Sequence, residues 1–167
     1  SHIFKQVFPA VVTYSGLELV RKDSYIRSKG CARVPDANGK VVIPKEWTSI
    51  DNAAFYQCYS LKSVEFEYPA SLQSIGHSAF LELIALTSIS IPDSVINIDY
   101  NAFSQCTNLR SVVFQGDSKL KSIGEGCFRD TALTEINIPT SATSISAGAF
   151  FLFSYFFCVI FFVYFNI

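Results

Sequence analysis

A column of hydroxyls is the first feature with chemical potential. Ser49, Ser74, Ser122 and Ser144 recur at regular intervals, with Asn97 in the third place. A hydroxyl nucleophile needs a general base within hydrogen-bond reach. None accompanies this column, so it reads as a polar ladder that satisfies turn backbone. The imidazoles are His2 and His77. His77 occupies a variable, outward position after Ile75-Gly76. A Ser-His or Cys-His engine built on it is far less favoured than an ordinary surface ring. The cysteines are Cys31, Cys58, Cys106, Cys127 and Cys158. Metal ligation needs a cluster with recognised spacing, and these five show none. The acids are scattered. Gly124-Glu-Gly126 is followed by Cys127, not by the Lys-Ser/Thr of a phosphate loop. The expectation is therefore no catalytic, metal or cofactor site.

These residues hang on a phrase that repeats through most of the chain. Its clearest copy runs Ile98-Asp-Tyr-Asn-Ala-Phe103-Ser-Gln-Cys106-Thr-Asn-Leu109-Arg-Ser-Val112-Val-Phe114. The central phenylalanines are Phe55, Phe80, Phe103, Phe128 and Phe150, spaced by 25, 23, 25 and 22 residues. Five residues before each stands Ile50, Ile75, Ile98, Ile123 or Ile145. Three before that stands Trp47, Leu72, Val95, Leu120 or Ala142. A small residue precedes each Phe: Ala54, Ala79, Ala102, Cys127 or Ala149. Leu61, Leu86, Leu109 and Leu133 follow, and then the alternating pairs Val64/Phe66, Ile89/Ile91, Val112/Phe114 and Ile136/Ile138.

Alternation at period two puts each pair on one face of a strand. The shorter apolar-x-Ser-Ile piece reads as a second strand. Asp-x-x-Ala-Phe reads as one helical turn, capped by Asp51, Asp99 or Ser146. One such coil cannot bury its apolar side alone, whereas stacked coils share a continuous core. The fold class expected is a repeat solenoid, mainly β with short helical or 3-10 turns, holding four to five repeats of 22–25 residues. The turn after each long strand alternates in length. Ile43, Ile91 and Ile138 reach the next apolar anchor in four residues, and Phe66 and Phe114 in six. Every second coil thus carries a bulge at Glu67-Tyr68 or Gln115-Gly116.

The pattern resembles the BspA-like leucine-rich repeats. Ile75-Gly76-His-Ser-Ala79-Phe80 and Ile123-Gly124-Glu-Gly-Cys127-Phe128 match the front of that motif. Phe55-Tyr-Gln-Cys58 and Phe103-Ser-Gln-Cys106 match its middle. Ile43-Pro44, Ile91-Pro92 and Ile138-Pro139 match its end. The resemblance implies a right-handed leucine-rich-repeat coil. It also implies a surface protein that attaches to host proteins or other cells.

Three segments follow: a cap or diverged stretch at 1–37, the solenoid at 38–150, and an apolar tail at 151–167. The first is apolar early, includes a candidate strand at Leu17–Val20, and turns basic from Arg21 to Arg33. Short charge runs of that kind are usually solvated, and solenoid ends need a more polar cover. Asn38-Gly39 is a turn signal. The tail from Phe151 to Ile167 has no charge, glycine or proline. A membrane helix, a further strand-bearing repeat and read-through of non-coding sequence all fit it. The first makes membrane contact, and the second makes self-association through the C-terminal edge. The lack of Met at position 1 reads as a fragment, a processed form or a partial gene model.

The outward positions of the long strands form the one surface with regular spacing. Lys62, Glu65, Ser88, Ser90, Arg110, Val113, Glu135 and Asn137 are the candidate partner-binding face. A net charge of −1 with 16% charged residues argues against nucleic acid, which needs a basic stripe. The cysteines are expected as buried free thiols. Cys58 and Cys106 share a column with Leu83 between them, so two coil spacings, roughly 9–10 Å, separate them. The functional expectation is a non-enzymatic interaction module that binds protein or glycan at the cell surface. The alternatives are an intracellular scaffold and a truncated fragment without a role of its own.

Overall fold

A computed structural model describes residues 31–151. They wind into a β-solenoid of about five turns. The long strands are β1 (Lys40–Ile43), β3 (Ser63–Phe66), β5 (Ser88–Ile91) and β7 (Ser111–Phe114). The short strands are β2 (Ser49–Ile50), β4 (Ser74–Ile75), β6 (Asn97–Ile98), β8 (Ser122–Ile123) and β9 (Ser144–Ile145). Every pairing is parallel, as coils wound in one direction require. The register sets like on like: Ile50, Ile75, Ile98, Ile123 and Ile145 stack across the short strands. These five strands make one continuous sheet, β2-β4-β6-β8-β9.

The long strands behave differently. β1 pairs with β3, and β5 with β7, but no ladder joins β3 to β5. The long turns after Phe66 and Phe114 end each pair, so two coils form one unit. The expected further long strand at Ile136/Ile138, a fifth, is absent, although both side chains stay buried. It holds the place after β7 that β5 holds after β3, across the same kind of seam. A ladder there would need the offset that the long turn removes.

The third side of each coil carries neither strand nor helix. Where a helical turn was expected, tight turns follow one another. The amides of Ala54, Ala79, Ala102, Cys127 and Ala149 donate to the carbonyls three residues back, at 3.1–3.3 Å. The chain does not continue as helix because the residue two before each Phe is left-handed. Those residues are Ala53, Ser78, Asn101, Gly126 and Gly148, with φ from 54° to 74°. Two after the Phe, Gln57, Glu82, Gln105 and Asp130 do the same, with φ from 54° to 62°. A left-handed L-residue costs roughly 1–2 kcal/mol. Here it aims amides at the next coil. Ser78, Phe80 and Glu82 donate to the carbonyls of Tyr100, Ala102 and Ser104 at 2.8–3.0 Å. The turn wall is therefore laddered backbone, as buried peptide groups demand.

The phenylalanines form a spine inside this frame. Phe55, Phe80, Phe103, Phe128 and Phe150 stack in sequence, with ring centroids 5.0–5.5 Å apart and planes within 9°. Ala79, Ala102 and Cys127, each just before a Phe, are fully buried and leave room for that approach.

Glycine recurs where two coils come closest. A Cβ on Gly124 would lie 2.5 Å from the Tyr100 nitrogen and 2.6 Å from the Asp99 carbonyl carbon. Both are backbone and cannot swing aside. Gly124→Ala should therefore destabilise by about 1–3 kcal/mol, as overpacking does. The clash outweighs the roughly 0.4–1 kcal/mol gained from a stiffer unfolded chain. A thermal melt checks it, and an unchanged midpoint would contradict the close approach.

The first coil opens at the expected turn. Asp36 Oδ1 accepts the amides of Asn38 at 2.8 Å and Lys40 at 2.9 Å. The Lys40 and Asn38 amides hold its carboxyl below the ordinary range. Gly39 supplies φ 79°, and any side chain there would strike the Ser60 carbonyl and the Lys62 stem. The expected strand at Leu17–Val20, the basic run before Cys31 and the apolar tail beyond Phe151 lie outside the described residues. Among the described residues no helix is long and apolar enough to cross a membrane.

Candidate functional site

The long strands bury one side and expose the other. Val64, Ile89, Val112 and Ile136 point into the core. Lys62, Glu65, Ser88, Ser90, Arg110, Val113, Glu135 and Asn137 are all exposed. Val113, at 51% exposure, is the large apolar group on this face. One feature of the face was missed in the sequence. Lys40 Nζ lies 2.6 Å from Glu65 Oε2, because β1 and β3 pair Val42 with Glu65. That contact neutralises Glu65. Among the described residues neither Lys62 nor Arg110 has an ion-pair partner. Arg110 Nη1 donates to the Asn108 carbonyl at 3.5 Å, a weak hold. The face thus presents two available cations two coils apart, with serines between.

The cysteine expectation holds in part. Cys106 and Cys127 are free and buried. Burial pushes the Cys106 thiol up to about 12, partly offset by the Leu83 backbone. Burial raises Cys127 well above its ordinary value. Both are protonated near neutrality and poor nucleophiles. Cys31 and Cys58 form a disulfide with Cα atoms 5.3 Å apart. The Ala32 amide donates to the Ala54 carbonyl at 2.6 Å, so Cys31 arrives one coil ahead of Cys58. It lies before the repeat register, so the spacing of the cysteine column carries no sign of this pairing, and the free thiols expected at Cys31 and Cys58 are a bridge instead.

The serine column also differs from expectation. Ser122 Oγ donates to Asn97 Oδ1 at 2.8 Å, and Ser49 Oγ to Asp51 Oδ1 at 3.5 Å. Both reach neighbouring side chains rather than turn backbone, since strand residues point away from the peptide plane. His77 stacks on Tyr100 with centroids 5.0 Å apart. Its Nε2 meets Ser78 Oγ at 3.2 Å, and its amide donates to Asn52 Oδ1 at 2.8 Å. Ser78 itself is buried, so the hydroxyl nearest an imidazole is set inside the wall. Among the described residues no three of His, Cys, Asp and Glu gather as a metal site would require.

Residues 34–155 match the model of the BspA type Leucine rich repeat region, in 6 copies. The chain belongs to this family. Two solved structures are similar to this BspA-type solenoid. One is the Pneumococcal vaccine antigen PcpA, with 26% identity and a TM-score of 0.64 over 68% of this chain and 28% of that one. The other is the T. pallidum Leucine Rich Repeat protein, with 32% identity and a TM-score of 0.62 over 67% of this chain and 53% of that one. The BspA-type chain therefore spans about half the second structure's length and less of the first. No curated protein matches it.

Proposed function

We propose that this BspA-type chain is a non-enzymatic protein-interaction module that works at the cell surface. It holds its partner on the outer face of the long strands. The observation that carries this reading is the exposed face of β3, β5 and β7. Its inward side is core, and Lys62 and Arg110 stand on it without counter-charges among the described residues. Such a face suits a partner that presents carboxylates.

The surface assignment draws on two further observations. The Cys31–Cys58 disulfide fits an oxidising compartment, because cytosolic thiol pools keep most cysteines reduced. It weighs against the intracellular scaffold. The similarity to a vaccine antigen of pneumococcus adds a relative of the kind an outside partner can reach.

Lys62→Glu with Arg110→Glu should weaken binding of the partner by about tenfold or more, since like charges brought together at a contact cost several kcal/mol. The residual binding should respond less to added salt. Both residues are exposed, so the fold should survive, as circular dichroism would show. A partner isolated on the wild-type chain and held equally by the double variant would place the contact elsewhere.

A further inference from the structure

The turn wall carries a second constellation, away from the long-strand face. At its centre is Glu82, a left-handed corner residue with φ 62°. Its carboxylate faces the preceding coil. Gln57 Nε2 donates to Oε2 at 2.8 Å. Tyr59 Oη reaches the same oxygen at 3.5 Å, and Tyr56 Oη reaches Oε1 at 3.5 Å. A carboxylate offers about four acceptor positions. Only the amide bond is of good length, because 3.5 Å is at the outer limit for a hydroxyl donor. Among the described residues no lysine or arginine lies within ion-pair distance of Glu82.

Large apolar surface surrounds this under-satisfied charge. Tyr56, Tyr59 and Ile84 are 37%, 51% and 48% exposed. The fold requires none of these choices. The same corner is held by Gln57 and Gln105 in other coils, so a neutral amide suffices there. Thr107 takes the place of Tyr59 and Ile84 in the third coil, and Ser104 that of Tyr56. The two tyrosines occur together only in the coil that faces Glu82. Desolvation, and then the Glu82 carboxylate, hold the Tyr59 phenol above its ordinary value, so it remains a neutral ring with an intact proton.

We propose that Glu82, framed by Tyr56, Tyr59 and Ile84, is a socket for an arginine side chain of a partner protein. A guanidinium matches a carboxylate by its planar fork and stacks on aromatic faces. The faces of Tyr56 and Tyr59 attract a cation through the ring quadrupole. The two long phenol bonds are the ones an incoming donor displaces, while Gln57 keeps the carboxylate aimed. Aromatic rings beside an acid also suit neutral sugars. The lack of a counter-charge on Glu82 among the described residues favours the cation. This socket does not rest on the long-strand reading, and either can fail without the other.

The test uses the full chain and two short acetylated peptide amides that differ only in arginine against citrulline, followed by tyrosine fluorescence. The arginine peptide should bind, and added salt should weaken it. Citrulline should bind about tenfold more weakly, the cost of losing a charge-assisted hydrogen bond. Glu82→Gln should lose a similar factor, in a side chain this corner already accepts at Gln57 and Gln105. Tyr59→Ile, which copies Ile84 one coil on, should weaken binding less. Lys62→Glu with Arg110→Glu should leave arginine binding intact. Equal binding of the two peptides, undiminished binding by Glu82→Gln, or no binding of the arginine peptide would overturn the socket. Binding of a neutral oligosaccharide, lost in the same variants, would overturn it in favour of a sugar site.

Discussion

Phe103→Ala should lower the unfolding free energy by about 3–5 kcal/mol, the range for truncating a buried aromatic. Phe103 is fully buried and stacks on Phe80 at 5.0 Å and on Phe128 at 5.4 Å. Each neighbour would lose a ring face along with the burial. Offset stacks add roughly 0.5–1.5 kcal/mol apiece beyond area, which places the result in the upper part of the range. The left-handed corners at Asn101 and Gln105 hold the backbone apart, so the wall cannot collapse into the cavity. Urea denaturation measures the loss. A change under about 1 kcal/mol, far below the usual cost of a cavity this size, would mean that the spine is not the shared core.

Cys31→Ala with Cys58→Ala should cost about 3–4 kcal/mol. The bridge spans a separation of 27 residues, and the chain-entropy relation for a loop of that length gives about 3.5 kcal/mol. Alanine avoids placing a hydroxyl where Cys58 is buried. Reducing the wild-type chain should produce the same shift in urea midpoint. Alkylation of the unfolded, unreduced protein should label Cys106 and Cys127 but spare Cys31 and Cys58, and reduction should open that pair to the reagent. Identical midpoints with and without reductant would show that the pair does not close. The bridge matters at this place because it ties the covering segment to the first coil. A solenoid frays from its ends, where each coil has one neighbour fewer.

The core was legible in the sequence because its side chains return once per coil in the same type. Phe55 to Phe150 and Ile50 to Ile145 are read directly from their spacing. The left-handed corners were not legible. Glycine is the usual signal for φ above zero, yet Ala53, Ser78, Gln57 and Glu82 adopt it here. Inter-coil hydrogen bonds support them, and those have no local sequence mark. Hence a helical turn was expected where the chain makes successive corners. Cys31 and Cys58 read as free thiols because Cys31 precedes the register that organises every other column, so their pairing leaves no mark in the spacing. The outward residues of the long strands could be named, because alternation gives direction. The Lys40–Glu65 pair could not, because it needs the register of two coils. The Glu82 cluster draws on the first, second and fourth columns past the Phe, where no one residue type runs through every coil.

The pairing of the long strands bears on how such a molecule can grow or shrink. Gly76 and Gly124 stand in the long-turn coils, and Asp51 and Asp99 in the coils between. Phe55 to Phe103 and Phe80 to Phe128 are each 48 residues. A gene event that copied one coil would bring two glycine coils, or two aspartate coils, into contact, and would leave a long strand beside a turn of the wrong length. An event that copied two would reproduce every contact already present. The heritable unit of this solenoid is therefore the doublet. Viable insertions and deletions in its lineage should step by two coils, 47 or 48 residues as between alternate phenylalanines here, with half-steps removed by selection on folding.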